Sequence, residues 1–124
     1  MRVADDAEDG ETGLMLTRTA IYEGALEPGT DEDRFFAAVR EKLEPIWRTF
    51  PEVLDVRVHR VRDADPDAIP VVMILEMDFA DRASLDRSLT SDIKERSHAL
   101  TLEVLKPFKG RFFHLVAEAH SVPA

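Results

Sequence analysis

No cysteine occurs in this sequence, which excludes both a disulfide framework and a thiolate nucleophile. A cysteine-free chain suits a reducing compartment, and the cytoplasm is the expected location. No apolar run approaches the roughly 20 residues of a membrane helix, and the first residues lack the apolar stretch of a secretory leader. Neither a membrane partner nor a cleaved leader is therefore expected. Cations are scarce: 16 Lys and Arg stand against 25 Asp and Glu, for a formal net charge of −9. That balance argues against a nucleic-acid surface, where phosphate contacts need cationic excess, and against anionic membranes. Only five glycines are present, none grouped in a phosphate-cradling loop. Neither a Gly-x-Ser-x-Gly elbow nor a His-Glu-x-x-His helix occurs.

What remains is an ordinary globular composition, 44% hydrophobic and 33% charged. With 124 residues the chain forms one domain whose core is modest, so contacts between subunits would help it. Residues 1–13 hold Asp5, Asp6, Glu8, Asp9 and Glu11 with little to bury, and read as a disordered acidic tail. The folded domain is expected over 14–121.

Hydrophobic periodicity orders that domain. Leu14–Tyr22 has strand composition, and Glu27-Pro28-Gly29 breaks it. Thr30 is a suitable N-cap for a helix over Asp31–Thr49, whose Phe35, Phe36, Val39, Leu43, Ile46 and Trp47 form one apolar stripe. Pro45 lies within the stripe and should kink it. In Val53–Arg62, Leu54, Val56 and Val58 alternate with Asp55, Arg57 and His59, the pattern of a strand. Pro70–Phe79 repeats the pattern with Met73, Leu75, Met77 and Phe79 on one face. Asp81 caps a helix over Arg82–Leu89, and Thr90 or Ser91 starts a second stretch running to Leu105. Gly110 ends that region, and Arg111–Glu118 is the last strand. The order β-α-β-β-α-β predicts an α+β, ferredoxin-like fold with a four-stranded antiparallel sheet and helices on one face.

The sheet face opposite the helices is then the informative surface. Apolarity assigns Phe113, Leu115 and Ala117 to the helix side of the last strand. Phe112, His114, Val116 and Glu118 go to the other face, together with Arg57, His59 and Glu76. Such a mixture suits a half-dry cavity or a subunit interface.

The element order, the long first helix with its late proline, and the ending Leu105-Lys106-Pro107-Phe108-Lys109-Gly110-Arg111-Phe112-Phe113-His114 resemble the dimeric α/β-barrel superfamily. Within it the chain is most similar to EthD-like and REDY-like proteins and the stress-responsive barrel proteins. The resemblance implies a homodimer in which two ferredoxin-like sheets pair face to face and close a barrel, the sheet face away from the helices lining a pocket in each half. The mixed polar-apolar face, on a fold that needs it covered, suits an apolar or aromatic metabolite as ligand. Members include monooxygenases without metal or organic cofactor, lactone isomerases, polyketide cyclases and haem-binding enzymes. EthD-like proteins often carry His-x-Pro in the first helix. Here the stretch is Leu43-Glu44-Pro45-Ile46, so the proline matches and the histidine does not.

The expected function is binding of that metabolite, with cofactor-free acid/base or oxygenation chemistry where catalysis occurs. His59 and His114 are the proton-handling candidates, because imidazole titrates near neutrality, and Glu76 would orient a ring or act as base. Arg57, with its planar fork, is a candidate holder of an anionic substrate group; the competing and favoured reading pairs it with Asp55, Glu76 or Asp78. Tyr22, Phe112 and Glu118 complete the substrate-binding set. No cofactor is expected. A metal site drawn from His59, His114 and Glu76 has no supporting ligand spacing, and none is assigned. The alternatives are that the same residues form hydrogen bonds across a non-catalytic dimer interface, or that the protein is an accessory to an oxygenase pathway.

Overall fold

Antiparallel pairing of four strands organises the fold. A computed structural model describes residues 15–120 and 122–123, so the expected acidic tail lies outside the described residues. The elements in chain order are β1 (Met15–Leu26), α1 (Glu32–Ala38), a π-helical turn (Val39–Leu43), α2 (Glu44–Trp47), β2 (Asp55–Arg60), β3 (Val71–Phe79), α3 (Arg82–Leu89), α4 (Asp92–Val104) and β4 (Phe108–Ala119). The sheet order is β2-β3-β1-β4, as a ferredoxin-like fold requires. All three neighbouring pairs are antiparallel.

The core lies between one sheet face and the helices. Met73, Leu75, Met77 and Phe79 of β3, with Ala20 and Tyr22 of β1, meet Phe35, Phe36, Val39, Leu43 and Trp47 from the first helical region. Alternation along β3 puts its four apolar side chains on this face, and their near-complete burial drives the layer together.

The first helix departs from the expected single span over 31–49. Pro45 has no N–H to donate one turn back, and its ring would crowd the Glu41 carbonyl in a regular helix. The chain widens to a π turn immediately before it, with the Glu44 N–H donating to the Val39 carbonyl. Asp31, rather than Thr30, is the N-cap: its carboxylate accepts from the Arg34 N–H at 3.1 Å. Asp81 caps α3 as expected, accepting from the Ser84 N–H at 2.8 Å. Leu54 falls before β2 and is exposed.

The central strand β1 and the edge strand β4 pair over a longer stretch than their composition suggested, from Met15↔Ala119 to Leu26↔Phe108. Gly24 and Gly110 face each other within this ladder, so Gly110 lies inside β4 and does not end the preceding region. Both have positive φ, and a Cβ on Gly24 would collide with the Lys109 carbonyl oxygen.

Candidate functional site

The cross-strand register decides which side chains share a face. Ala20 pairs with His114 and Tyr22 with Phe112, and both Ala20 and Tyr22 are buried beneath the helices. His114 and Phe112 therefore lie on the helix side, and so does Glu118, opposite Leu16. This corrects the expected faces of β4, and with them the expected place of the cavity, which Phe112 and His114 line on the helix side and not on the open sheet face. The reason is the strand's position at the sheet edge, where helix cover is thin: the inward row is polar enough to include His114, and the outward row retains Phe113 and Leu115. His59 and His114 are consequently on opposite faces and at opposite edges of the sheet, and they do not meet within one chain. The three-ligand set His59, His114 and Glu76 cannot form around one ion. Among the described residues no group of three His, Cys, Asp or Glu side chains is placed to hold a metal.

The site residues divide into two assemblies. The first surrounds a cavity of about 70 Å³ between β1, β3, β4 and α4. Its apolar wall is Trp47, Phe50, Leu75 and Met77. Tyr22 and Phe112 form its aromatic side, stacked with ring centroids 5.1 Å apart and 27° between planes. The His114 ring stands edge-on to Phe112 at 6.0 Å. From α4, Ser97 and Thr101 are one turn apart and buried, while Lys94 and His98, also one turn apart, stand exposed at the mouth. Arg18 enters from β1, half-buried. Lys94 and His98 also line an outer groove of about 750 Å³ along α4.

Electrostatics in this cavity favour neutral rings. Loss of solvation, then the positive charges of Arg18, Lys94 and His98, push the His114 imidazole down to about 4. His114 keeps open surface as a residue, so the nearby charges of Arg18 and Lys94 act on its ring together with its partial burial. Burial pushes the Tyr22 phenol up to about 12, partly offset by Arg18. At neutral pH the cavity thus presents an uncharged imidazole, which can accept a hydrogen bond, and an intact phenol O–H, which can donate one.

The second assembly lies on the open sheet face. Arg57 donates from Nη1 and Nη2 to the two carboxylate oxygens of Asp78 at 2.7 and 3.0 Å. It also donates to Glu76 at 2.9 Å and to Asp55 at 2.9 Å. Asp78 is 4% exposed and accepts a further bond from the Thr17 hydroxyl at 2.8 Å. His59 Nε2 lies 2.9 Å from Glu76 Oε1. Hydrogen bonds from Arg57 and Thr17 hold the Asp78 carboxyl below its ordinary range. Those from His59 and Arg57 do the same for Glu76. Three carboxylates therefore occupy the guanidinium expected to hold a substrate anion. Glu118 is exposed and does not line the cavity.

Sequence reasoning missed Arg18, Lys94, Ser97 and Thr101 and assigned no role to His98. A signal for Arg18 existed: it is the one cation in the inward row Leu16, Arg18, Ala20, Tyr22. The α4 groups were legible only as pairs four residues apart, Lys94 with His98 and Ser97 with Thr101.

No family model matches the chain, and no curated protein matches it in sequence. Solved structures do match. An EthD-family protein from Bacillus halodurans is 19% identical, with a TM-score of 0.68 over 86% of this chain and 99% of that one. A dimeric ferredoxin-like protein of unknown function from Thermobifida fusca is 9% identical, with a TM-score of 0.61 over 87% and 93%. A Streptomyces coelicolor monooxygenase, solved with the ligand nanaomycin D, is 7% identical, with a TM-score of 0.60 over 90% and 92%. At such identities the likeness is one of fold, and it is the likeness the element order implied: the chain has the ferredoxin-like α+β fold of EthD-family and dimeric ferredoxin-like proteins.

Proposed function

We propose that the protein is a homodimer, suited to the cytoplasm, that binds a small apolar or aromatic molecule in the cavity between the sheet and α4. His114 is its proton-handling group. One observation carries this reading: the Tyr22–Phe112 stack adjoins a neutral imidazole and a set of hydroxyl groups in a single cavity. Aromatic faces with a few convergent polar groups suit a flat organic ligand. An uncharged His114 can accept a hydrogen bond from an O–H of that ligand, and it would serve as general base only where an anionic group on the ligand offsets the cations around it. The monooxygenase of the same fold, solved with a small-molecule ligand, supports a ligand-binding use of the architecture.

Arg57, His59 and Glu76 are assigned to the second subunit's contact surface, because the Arg57 fork is already occupied by carboxylates. The T. fusca protein of the same fold is described as dimeric, and the open face carries Phe113 and Leu115 beside this network.

Thermal-shift screening of the full chain against small aromatic compounds tests the reading. The wild type should be stabilised by ligand, since binding to the native state alone raises its stability. Phe112→Ala and His114→Gln should lose the response, and His59→Gln should keep it. A response that survives both cavity variants would remove the assignment.

A further inference from the structure

Among the described residues, no carboxylate forms an ion pair with Arg18. Three guanidiniums among the described residues are half-buried: Arg18, Arg57 and Arg60. Arg57 meets Asp55, Glu76 and Asp78, and Arg60 meets Glu32 and Asp33. No carboxylate among the described residues pairs with Arg18, whose surroundings are burial and the Tyr22 phenol. A partly desolvated cation without a counter-ion is costly to maintain, and an arriving anion would offset that cost.

The rest of the cavity points the same way. No Asp or Glu among the described residues lines it, although the chain as a whole has a net charge of −9. Its polar groups include a second cation, Lys94, and the hydroxyls of Tyr22, Ser97 and Thr101, all able to donate hydrogen bonds. Size narrows the choice. A volume of about 70 Å³ is well below the ~300 Å³ of a site that encloses a whole drug-sized ligand, so it suits a polar head group. The remainder of a ligand must project toward the mouth, where Phe112 offers a ring face and His98 and Lys94 lead to the outer groove. That groove contains Leu89, Ala99 and Leu102, with Leu102 52% exposed.

We infer that the ligand is an organic carboxylate that enters head first, its oxygens on the Arg18 guanidinium and its apolar part lying outward over Phe112 toward the α4 groove. The planar fork of arginine matches the two carboxylate oxygens. This rests on the cavity being the ligand site, as proposed above, and adds the ligand's charge and orientation.

The test pairs anions with uncharged isosteres: benzoate, phenylacetate and hexanoate against benzamide, phenylacetamide and hexanamide. Each is titrated into the full chain at pH 7 and followed by the NMR resonances of Phe112 and His114. The carboxylates should bind at least about ten-fold more tightly than their amides, as expected for a charge-assisted pair. Arg18→Gln should reduce that preference to under about three-fold, whereas Arg18→Lys retains part of it. Lys94→Gln, on the exposed surface of α4, should weaken carboxylate binding by about two- to three-fold, the size of a screened surface contribution. Should Arg18→Gln fail to fold, the comparison of carboxylate with amide in the wild type still decides. Equal affinity for both classes would overturn the carboxylate assignment and leave the cavity as a ligand site. No perturbation at Phe112 or His114 by either class would overturn both.

Discussion

Two residues show how position sets the use of a charge. Arg57 is saturated by carboxylates and serves the sheet face, while His114 is surrounded by Arg18 on β1, Lys94 and His98 on α4, and the uncharged Tyr22 phenol. Protonating His114 in the native state is therefore unfavourable. Its native value of about 4 lies below the ordinary 6.5, so the unfolded chain takes up the proton first as pH falls. Stability from this group is full above about 6.5 and declines as pH falls from there to about 4. Because the residue keeps open surface, solvent screening limits the effect to about 1 kcal/mol. Urea unfolding at pH 7 and pH 4.5 checks this: the wild type should lose about 1 kcal/mol more between the two pH values than His114→Gln does. Equal losses would mean that the imidazole is solvated like a free one.

At the scale of elements, β1 and β4 explain both what the sequence disclosed and what it concealed. β3 was legible because burial of Met73, Leu75, Met77 and Phe79 demands a strict period of two. β4 was legible as a strand, yet its facing was not, since both of its rows contain phenylalanine and an aliphatic residue. Only pairing with Ala20 and Tyr22 selects the inward row. The cavity followed β4 out of view: Tyr22, Phe112 and His114 were read as candidates, but in company with residues of the opposite face. The twelve-residue pairing depends on the Gly24–Gly110 contact. Gly24→Ala should destabilise the protein by about 1–3 kcal/mol, because the residue would have to hold a strained positive φ or separate the strands. Denaturant unfolding measures the loss, and amide exchange at Leu26 and Phe108, beyond the glycine pair, should quicken more than at Ala20. A neutral outcome would show that the ladder end relaxes freely.

For the whole molecule, the consequence of the β4 register is a second hydrophobic surface. With Phe112 and His114 turned inward, Phe113, Leu115 and Ala117 join Ile21 and Ile74 on the side without helices. Leu115 is 52% exposed in the single chain. The carboxylate-rich network around Arg57 sits across the same face, so a partner's sheet laid over it would meet an apolar half and a polar half. Charges already satisfied within the chain lose less on being covered than unpaired ones would. This favours a pairing in which the apolar rows supply the association energy and the network supplies orientation. Multi-angle light scattering should give twice the 14.0 kDa chain mass for the wild type. Leu115→Asp places an unpaired charge in the apolar half and should yield monomers at micromolar concentration with the circular dichroism of the native fold. It should leave the cavity on the opposite side intact, so ligand-induced shifts of Phe112 would persist in the monomer. Loss of both properties together would mean that dimer contacts also shape the cavity, and that the two faces of the sheet act as one unit.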